Sequence, residues 1–500
     1  MSTIKNVSYY LAGMVLSKPL GFILSIVVAK SLGPFDFGSW VTLMLVISYS
    51  PIACFGAVET LLKKVPFFLG RNEHANVTEI ENAVMGSVVL SAALVLVLAL
   101  FSPFIVPLLF PGIDPLLVML MLVTAATSYF SAYFNNRVTA YQDFKVVGAI
   151  GFIRSALALL FVGSLSWLWG LRGAVIGYLL HEFFVGLITM IISIRSHGRV
   201  GVSYNRDSII SAVKIGFPIT LLSWILTLNG TVDRVVLGKM LGPLSVGYYG
   251  LGISIVSTLA LIPLVVGRVL YPKVNKQFGQ TQEHDAIKRL VIEPTFALGV
   301  LLANIQLVLL IVMPYLYNSL LPKFQPGLLA GEVLLLGSFY GCLMRNGSNY
   351  LIAANQERVF LRYILVTLLF NIGCDVCLVK AGLGVCGVAL GTSLAGLLIN
   401  VLVWNRVLVS LKFDSAQARR KQFELYLPNL FLVAIVVVIN FIYPAIFQKF
   451  SIGGVLVGVL LFAVLNGLLY NVSAYRSGFL EWNDAFRRRF VPSFKGKPAS

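Results

Sequence analysis

The sequence predicts an all-α, polytopic membrane protein of about 14 transmembrane helices. They form two parallel-repeat six-helix bundles followed by two C-terminal helices. Three observations predict this fold. First, the chain is 58% hydrophobic and only 12% charged, with a mean hydropathy of +0.89. Soluble domains carry roughly 25% charged residues. Second, apolar runs of about 20 residues recur from end to end, each long enough to cross the roughly 30 Å hydrocarbon layer as a helix. Third, one polar turn is written twice. "KSLGPFDFGSW" at 30–40 returns as "KMLGPLSVGYY" at 239–249, 209 residues later.

Taken in order, the spans fall near 5–30, 38–62, 82–107, 115–137, 146–169, 172–195, 209–238, 246–268, 289–313, 329–353, 359–380, 383–406, 425–444 and 453–475. The first carries Lys18 in its middle and lacks a small-x-small cleavage pattern, so it is expected to stay as a helix. A β-barrel is excluded, because its strands would alternate over about ten residues. The connections are too short for a separate soluble domain, and a soluble active site is not expected.

Charge orients the spans. With a cytoplasmic N-terminus, 28 of the 38 Lys and Arg fall on the cytoplasmic side or at helix ends facing it. Six lie opposite (Lys30, Arg172, Lys239, Lys323, Lys380 and Lys449) and four lie within spans. The positive-inside rule then puts both termini in the cytoplasm. This distribution accounts for the net charge of +18 without nucleic acid. The basic tail at 479–500, with "FRRRF" at 486–490, is expected to meet anionic membrane lipids.

The twin turn is part of a longer repeat. At the same offset Lys64, Val65 and Gly70 match Lys273, Val274 and Gly279. At an offset of 214, "AYQD" (140–143) matches "ANQE" (354–357), and Gly170, Gly173 and Gly177 match Gly384, Gly387 and Gly391. Spans 1–6 and 7–12 are therefore two copies with the same orientation, related by an axis along the membrane normal. The expected organisation is one bundle at 1–200, a second at 201–412, and spans 13–14 at 413–478 before the tail. Two like bundles can enclose a cavity and rock by alternating access. Gly33-Pro34 and Gly242-Pro243 would then end spans 1 and 7 and form the outer-gate turns.

Polar stripes at helical spacing mark the faces such a cavity would use. Span 1 has Tyr10, Met14, Ser17, Lys18, Gly21 and Ser25; its copy, span 7, has Thr220, Ser223, Thr227, Thr231 and Arg234. Span 4 has Thr124, Thr127, Ser128, Ser131 and Asn135; its copy, span 10, has Ser338, Cys342, Arg345 and Asn349. Small polar residues also serve simply to pack helices together.

The embedded cations Lys18, Arg154, Arg234 and Arg345 cost roughly 2.5–3.5 kcal/mol each at a helix centre unless paired or hydrated. They are expected to line a cationic lumen suited to a phosphate or pyrophosphate. The mid-span acids are Asp233, Glu182 and Asp375, candidates for ion coupling; Glu59, Glu293 and Glu332 lie near span ends. Arg154 and Glu182 can instead pair within their hairpin, and His181 reads as a hydrogen-bonded interior residue. The five cysteines all fall in apolar spans, and the CxxC at Cys374–Cys377 has no second pair or nearby His. Neither a metal nor a cofactor is expected.

"LGPFDFGSW" (32–40) and "TVDRVVLGKMLGPLSVGYYGLGISI" (231–255) resemble the polysaccharide-transporter (Wzx-like) flippases of the multidrug/oligosaccharidyl-lipid/polysaccharide exporter superfamily. The resemblance implies a multi-pass protein of the bacterial inner membrane. Such a protein moves undecaprenyl-pyrophosphate-linked oligosaccharide outward for surface polysaccharide assembly, O-antigen or exopolysaccharide, with a polysaccharide polymerase as companion. It also implies a border for the lipid tail at spans 13–14. The multidrug branch usually has an acid in the first span, where this chain has Lys18. Two alternatives from the same superfamily are a cation-coupled small-molecule exporter and a lipid II-type flippase. A membrane-embedded glycosyl- or acyltransferase would need a large loop with paired acids or His, which the sequence lacks.

Overall fold

The computed structural model describes residues 2–109, 114–264 and 284–442, with isolated positions between 266 and 277 and between 461 and 467. Secondary structure among them is helical. Nine described stretches are long and apolar enough to cross a membrane. Two of them, Phe144–His197 and Glu357–Ser410, run 54 residues each. At 1.5 Å per residue that is about 80 Å, far more than one crossing needs. Each is interrupted by glycine backbone that no helix tolerates, at Gly170 in the first and at Gly382 and Gly384 in the second. Expected span 14 lies outside the described residues apart from isolated positions.

Chain packing divides the molecule into two units, Met1–Ser254 with Asp375–Val388, and Ile255–Cys374 with Ala389–Ser500. The expected boundary at 200 thus falls inside the first unit. The reason is that the segment after 200 leans on the segment between 34 and 70, as the contacts below show.

In the first unit, α1 (Ser2–Tyr49) bends at Gly33 (φ 71°, ψ 173°), with Pro34 opening its second half. A 3-10 turn, Ser50–Cys54, and left-handed residues Phe55 and Gly56 separate it from α2 (Ala57–Gly70). Pro51 starts that turn because its nitrogen has no proton to give the helix ladder. Next come α3 (His74–Leu109), α4 (Pro115–Ala140) and α5 (Phe144–Ala158). A π-turn, Leu159–Gly163, joins α5 to α6 (Ser164–His197). Span 7 is split into α7 (Arg206–Asn229) and α8 (Val232–Leu241), and α9 (Pro243–Leu259) follows the second twin turn. Packing between α2, α3 and α4 buries Leu61, Val65, Val84, Val88, Ala125, Tyr129 and Tyr133. Gly13 of α1 lies so close to Gly148 of α5 that a Cβ would meet backbone.

The second unit holds α10 (His284–Tyr315), α11 (Leu328–Ala353), α12 (Glu357–Leu378) up to Cys374, α13 (Gly384–Ser410) from Ala389, and α14 (Ser415–Ile442). A buried polar seam ties three of them. Gln306 of α10 donates to the Leu335 carbonyl of α11 at 2.5 Å, and Asn429 of α14 donates to the Leu336 carbonyl at 3.1 Å. Away from water, each such amide needs these partners.

The repeat is visible in the backbone. Gly242 (φ 81°, ψ 178°) copies Gly33, and Gly384 (φ 54°, ψ −134°) copies Gly170 (φ 58°, ψ −139°). At "AYQD" and "ANQE" the matching left-handed residues are Gln142 and Asn355. The register there is one residue shorter than the letters suggest, since what repeats is the turn conformation and not its side chains.

Candidate functional site

Two helix breaks of the first unit meet. Tyr49, the last residue of α1, has its hydroxyl 2.6 Å from the hydroxyl of Thr231, at the gap between α7 and α8. Its ring stands edge-on to Trp224, with centroids 6.3 Å apart. The carbonyl of Ser50, freed by the break, accepts the Tyr129 hydroxyl at 2.7 Å. Discontinuous helices within a membrane are tolerated where their backbone is re-satisfied or lines a cavity.

Here they border a cavity of about 670 Å3. Its walls include Ser48 at the end of α1, Pro51 on the broken strip after it, Glu59 on α2, Ser128, Asn135 and Asn136 on α4, Gly148, Gly151 and Arg154 on α5, Tyr178 and Glu182 on α6, and Thr220, Ser223, Trp224 and Thr227 on α7. The polar stripes of spans 4 and 7 thus face a shared space in part. Ser131 of the span 4 stripe reaches it indirectly, by holding Arg154.

The four embedded cations expected to line a lumen can be placed relative to this cavity. Among the four, only Arg154 lines it, and Arg154 is neutralised: one guanidinium nitrogen donates to Glu182 Oε1 at 2.6 Å, another to Ser131 Oγ at 2.6 Å. Glu182 is 3% exposed while Arg154 is 37% exposed, so the pair has one buried end and one wetted end. His181 fills the interior role expected of it, with Nε2 3.1 Å from the Arg154 carbonyl oxygen. With Glu59 also on its lining, the cavity is bordered by one cation and two carboxylates. Hairpin pairing won because Glu182 sits one residue from the face of α6 that meets α5, and an unpaired buried carboxylate is costly.

The remaining candidates lie elsewhere. Lys18 and Arg345 are exposed on α1 and α11. Arg234 is half-buried beside Asp233, which is 3% exposed and takes hydrogen bonds from the Arg234 backbone N–H at 2.8 Å and the Tyr249 hydroxyl. Asp375 is fully buried, with neither carboxylate oxygen hydrogen-bonded among the described residues. No cluster of three or more His, Cys, Asp and Glu that could hold a metal ion occurs among the described residues.

The twin turns touch each other. A Cβ at Gly38 would overlap the carbonyl oxygen of Pro243, and one at Gly247 would overlap that of Pro34. Each copy's Pro-x3-Gly step thus receives the other's, a reciprocal backbone contact that only small residues allow. Nearer α2, Gly56 and Gly216 approach in the same way, and Thr60 donates to the Ala212 carbonyl at 2.6 Å.

Sequence reasoning missed three features. Glu59 was placed at a span end and set aside, although the proline- and glycine-bearing "SPIACFG" before it signals a break within that span. Trp224 lies four residues from Thr220 on the stripe already marked. Arg137, at the end of span 4 in the sequence, is 1% exposed and bonded to Glu81 at 2.8 Å. Nothing in the letters marks that pair.

Arg154→Ala is expected to lower membrane abundance by leaving Glu182 without its cation. Breaking a buried pair costs about 3–5 kcal/mol, less here because the arginine end is partly wetted. The double change Arg154→Ala with Glu182→Ala is expected to recover abundance. Quantifying folded protein by size-exclusion after mild detergent extraction checks this, and no recovery in the double variant would show that the pair is not the unit of stability.

The comparisons with known proteins agree with this architecture. The family model described as polysaccharide biosynthesis protein matches residues 3–277, more than half of the chain. No curated protein matches. Among solved structures, the lipid II flippase MurJ in its inward closed conformation is similar at a TM-score of 0.72 and 15% identity, covering 92% of this chain and 98% of that one. An inward-facing multidrug resistance MATE family transporter of the MOP superfamily is similar at 0.67 and 14%, covering 80% and 96%. A MOP superfamily transporter from Pyrococcus furiosus is similar at 0.55 and 14%, covering 82% and 97%. At these identities the likeness is one of fold. The family match covers more than half of the chain, with the twin turns up to Tyr249 and every named residue of the cavity inside it, and on that ground the chain belongs to the polysaccharide biosynthesis protein family.

Proposed function

We propose that the protein translocates undecaprenyl-pyrophosphate-linked oligosaccharide from the cytoplasmic to the outer leaflet of the bacterial inner membrane by alternating access, with both termini cytoplasmic. The observation that carries the reading is the polar, aromatic cavity at the meeting of two broken helices, in a chain of this family. A space of about 670 Å3 lies within the roughly 300–1,000 Å3 usual for small-ligand sites. It suits a sugar headgroup, while the polyprenyl tail stays in lipid. Exposed Lys18 is assigned to the pyrophosphate, since it has no ion pair among the described residues and cannot face hydrocarbon. Arg345, Arg234 and the acids Asp233 and Asp375 are kept as secondary candidates, the acids for a coupling cation or proton. The product would feed surface polysaccharide assembly, where a polymerase consumes it.

Reconstitution into vesicles tests this. A polyprenyl-pyrophosphate disaccharide is loaded in one leaflet, and its arrival in the other is read by a membrane-impermeant galactosyltransferase with labelled sugar nucleotide. Protein-dependent arrival is expected. Lys18→Ala is expected to slow it about ten- to a hundred-fold at normal abundance, the loss of a charge-assisted contact worth about 1.5–3 kcal/mol. Arrival of a lipid II probe but not of the disaccharide would assign the protein to the lipid II-type reading instead. Normal rates in Lys18→Ala would remove Lys18 from the anion site.

A further inference from the structure

Resting on the flippase reading, we propose that the cavity of the first unit is a sugar subsite that accepts uncharged, hydroxyl-bearing residues and turns away sugars carrying carboxylate or phosphate, with Glu59 as the selecting group. The pyrophosphate would bind outside this cavity.

The argument begins with the cavity's charge. Its single cation is already used: Arg154 is held by Glu182 and Ser131, each at 2.6 Å. Glu59 also lines the space, with the Asn136 amide close by on the same lining. No ion pair to Glu59 occurs among the described residues. A carboxylate only accepts hydrogen bonds. A sugar hydroxyl can donate to it and in the same instant accept from a neighbouring donor. A sugar carboxylate cannot donate to Glu59 and adds a like charge in a confined space, which disfavours the charged form.

The donor a hydroxyl needs is also present. Trp224 lines the cavity, and its indole N–H is buried with no acceptor among the described residues. A buried donor left unpaired is costly, and an indole can only donate. That N–H has no open surface here, so a ligand oxygen would reach it on rotation of the ring. Asn135 and Asn136 each offer both a carbonyl and an amide N–H, so this wall can serve a hydroxyl in either sense. Tyr178 and Trp224 add apolar ring surface of the kind such sites use for the rest of the ligand.

The test uses two probes in the vesicle assay, read by extraction after leaflet-selective chemical cleavage so that no enzyme's preference enters. One is a polyprenyl-pyrophosphate disaccharide of neutral hexoses. The other is the same lipid with its terminal C6 hydroxymethyl oxidised to a carboxylate. The wild-type chain is expected to move the neutral probe at least tenfold faster. Glu59→Gln is expected to bring the ratio of rates to within about threefold, and Asn136→Asp, which adds an acid at the same wall, is expected to widen it. Equal wild-type rates for the two probes, or a faster acidic probe, would overturn the selection while leaving the flippase reading intact. An unchanged ratio in Glu59→Gln would overturn the role of Glu59. Failure of the wild-type chain to move either probe would overturn the flippase reading and the inference with it.

Discussion

Arg137→Ala is expected to reduce the folded protein more than any other single change described here. Arg137 is 1% exposed and its partner Glu81 5% exposed, at 2.8 Å. It also donates to the carbonyls of Ser193 (3.3 Å), His197 (2.8 Å) and Gly198 (3.1 Å) and to the Ser193 hydroxyl (3.1 Å). It thereby joins α3 and α4 to the C-terminal end of α6, where the last carbonyls of a helix lack intrahelical partners. Removing one member of a buried pair costs about 3–5 kcal/mol, a large share of the roughly 5–15 kcal/mol that keeps a typical domain folded. Arg137→Lys is expected to rescue poorly, because an ammonium cannot spread over the same fork of acceptors. Thermal unfolding of the purified chain, followed by fluorescence size-exclusion, measures this. A midpoint for Arg137→Ala within a few degrees of wild type would show that the cluster contributes little.

Gly38→Leu is expected to open the cavity to the outer side and abolish transport. Leucine at 38 would be driven into the Pro243 carbonyl, where even a Cβ has no room. Overpacking of this kind costs about 1–3 kcal/mol, which at 1.4 kcal/mol per tenfold shifts a closed-to-open balance roughly five- to a hundred-fold. The pseudo-equivalent Gly247→Leu, which meets the Pro34 carbonyl, is expected to do the same. The measurement is labelling of a cysteine placed at Ser48, a cavity residue, in a background without the five native cysteines, using an impermeant reagent applied from outside. Labelling should rise in both variants and not in Gly70→Leu, a glycine with open space around it. Unchanged labelling would show that the reciprocal contact of the twin turns is not the outer gate.

The membrane-spanning fold was legible because its cause is local. Hydrophobic length alone decides whether a segment crosses, so runs such as 82–107 and 115–137 coincide with α3 and α4. The repeat was legible for a related reason: glycine is favoured where φ is positive, so Gly33 with Gly242 and Gly170 with Gly384 stand out as letters and return as matching backbone. The polar stripes of spans 4 and 7 were also legible, since helical spacing fixes which residues share a face.

Which charges meet was not legible. An acid at a span end and an arginine near the cytoplasm look unremarkable in a linear reading, yet Glu59 enters the cavity and Arg137 is sealed against Glu81. Both outcomes depend on which helices become neighbours. So does the pairing that leaves Arg154 neutralised, for Glu182 is 28 residues away and meets it only once α5 and α6 lie side by side. By itself the sequence determined the class of fold, the two-copy plan and the glycine turns that recur between the copies, because hydrophobic length and glycine backbone act within a few residues. Only the tertiary structure decided the cavity, its charge and the contact between the twin turns. The energy of a buried ion or hydrogen bond depends on partners that arrive from distant parts of the chain, and on how much water they leave behind.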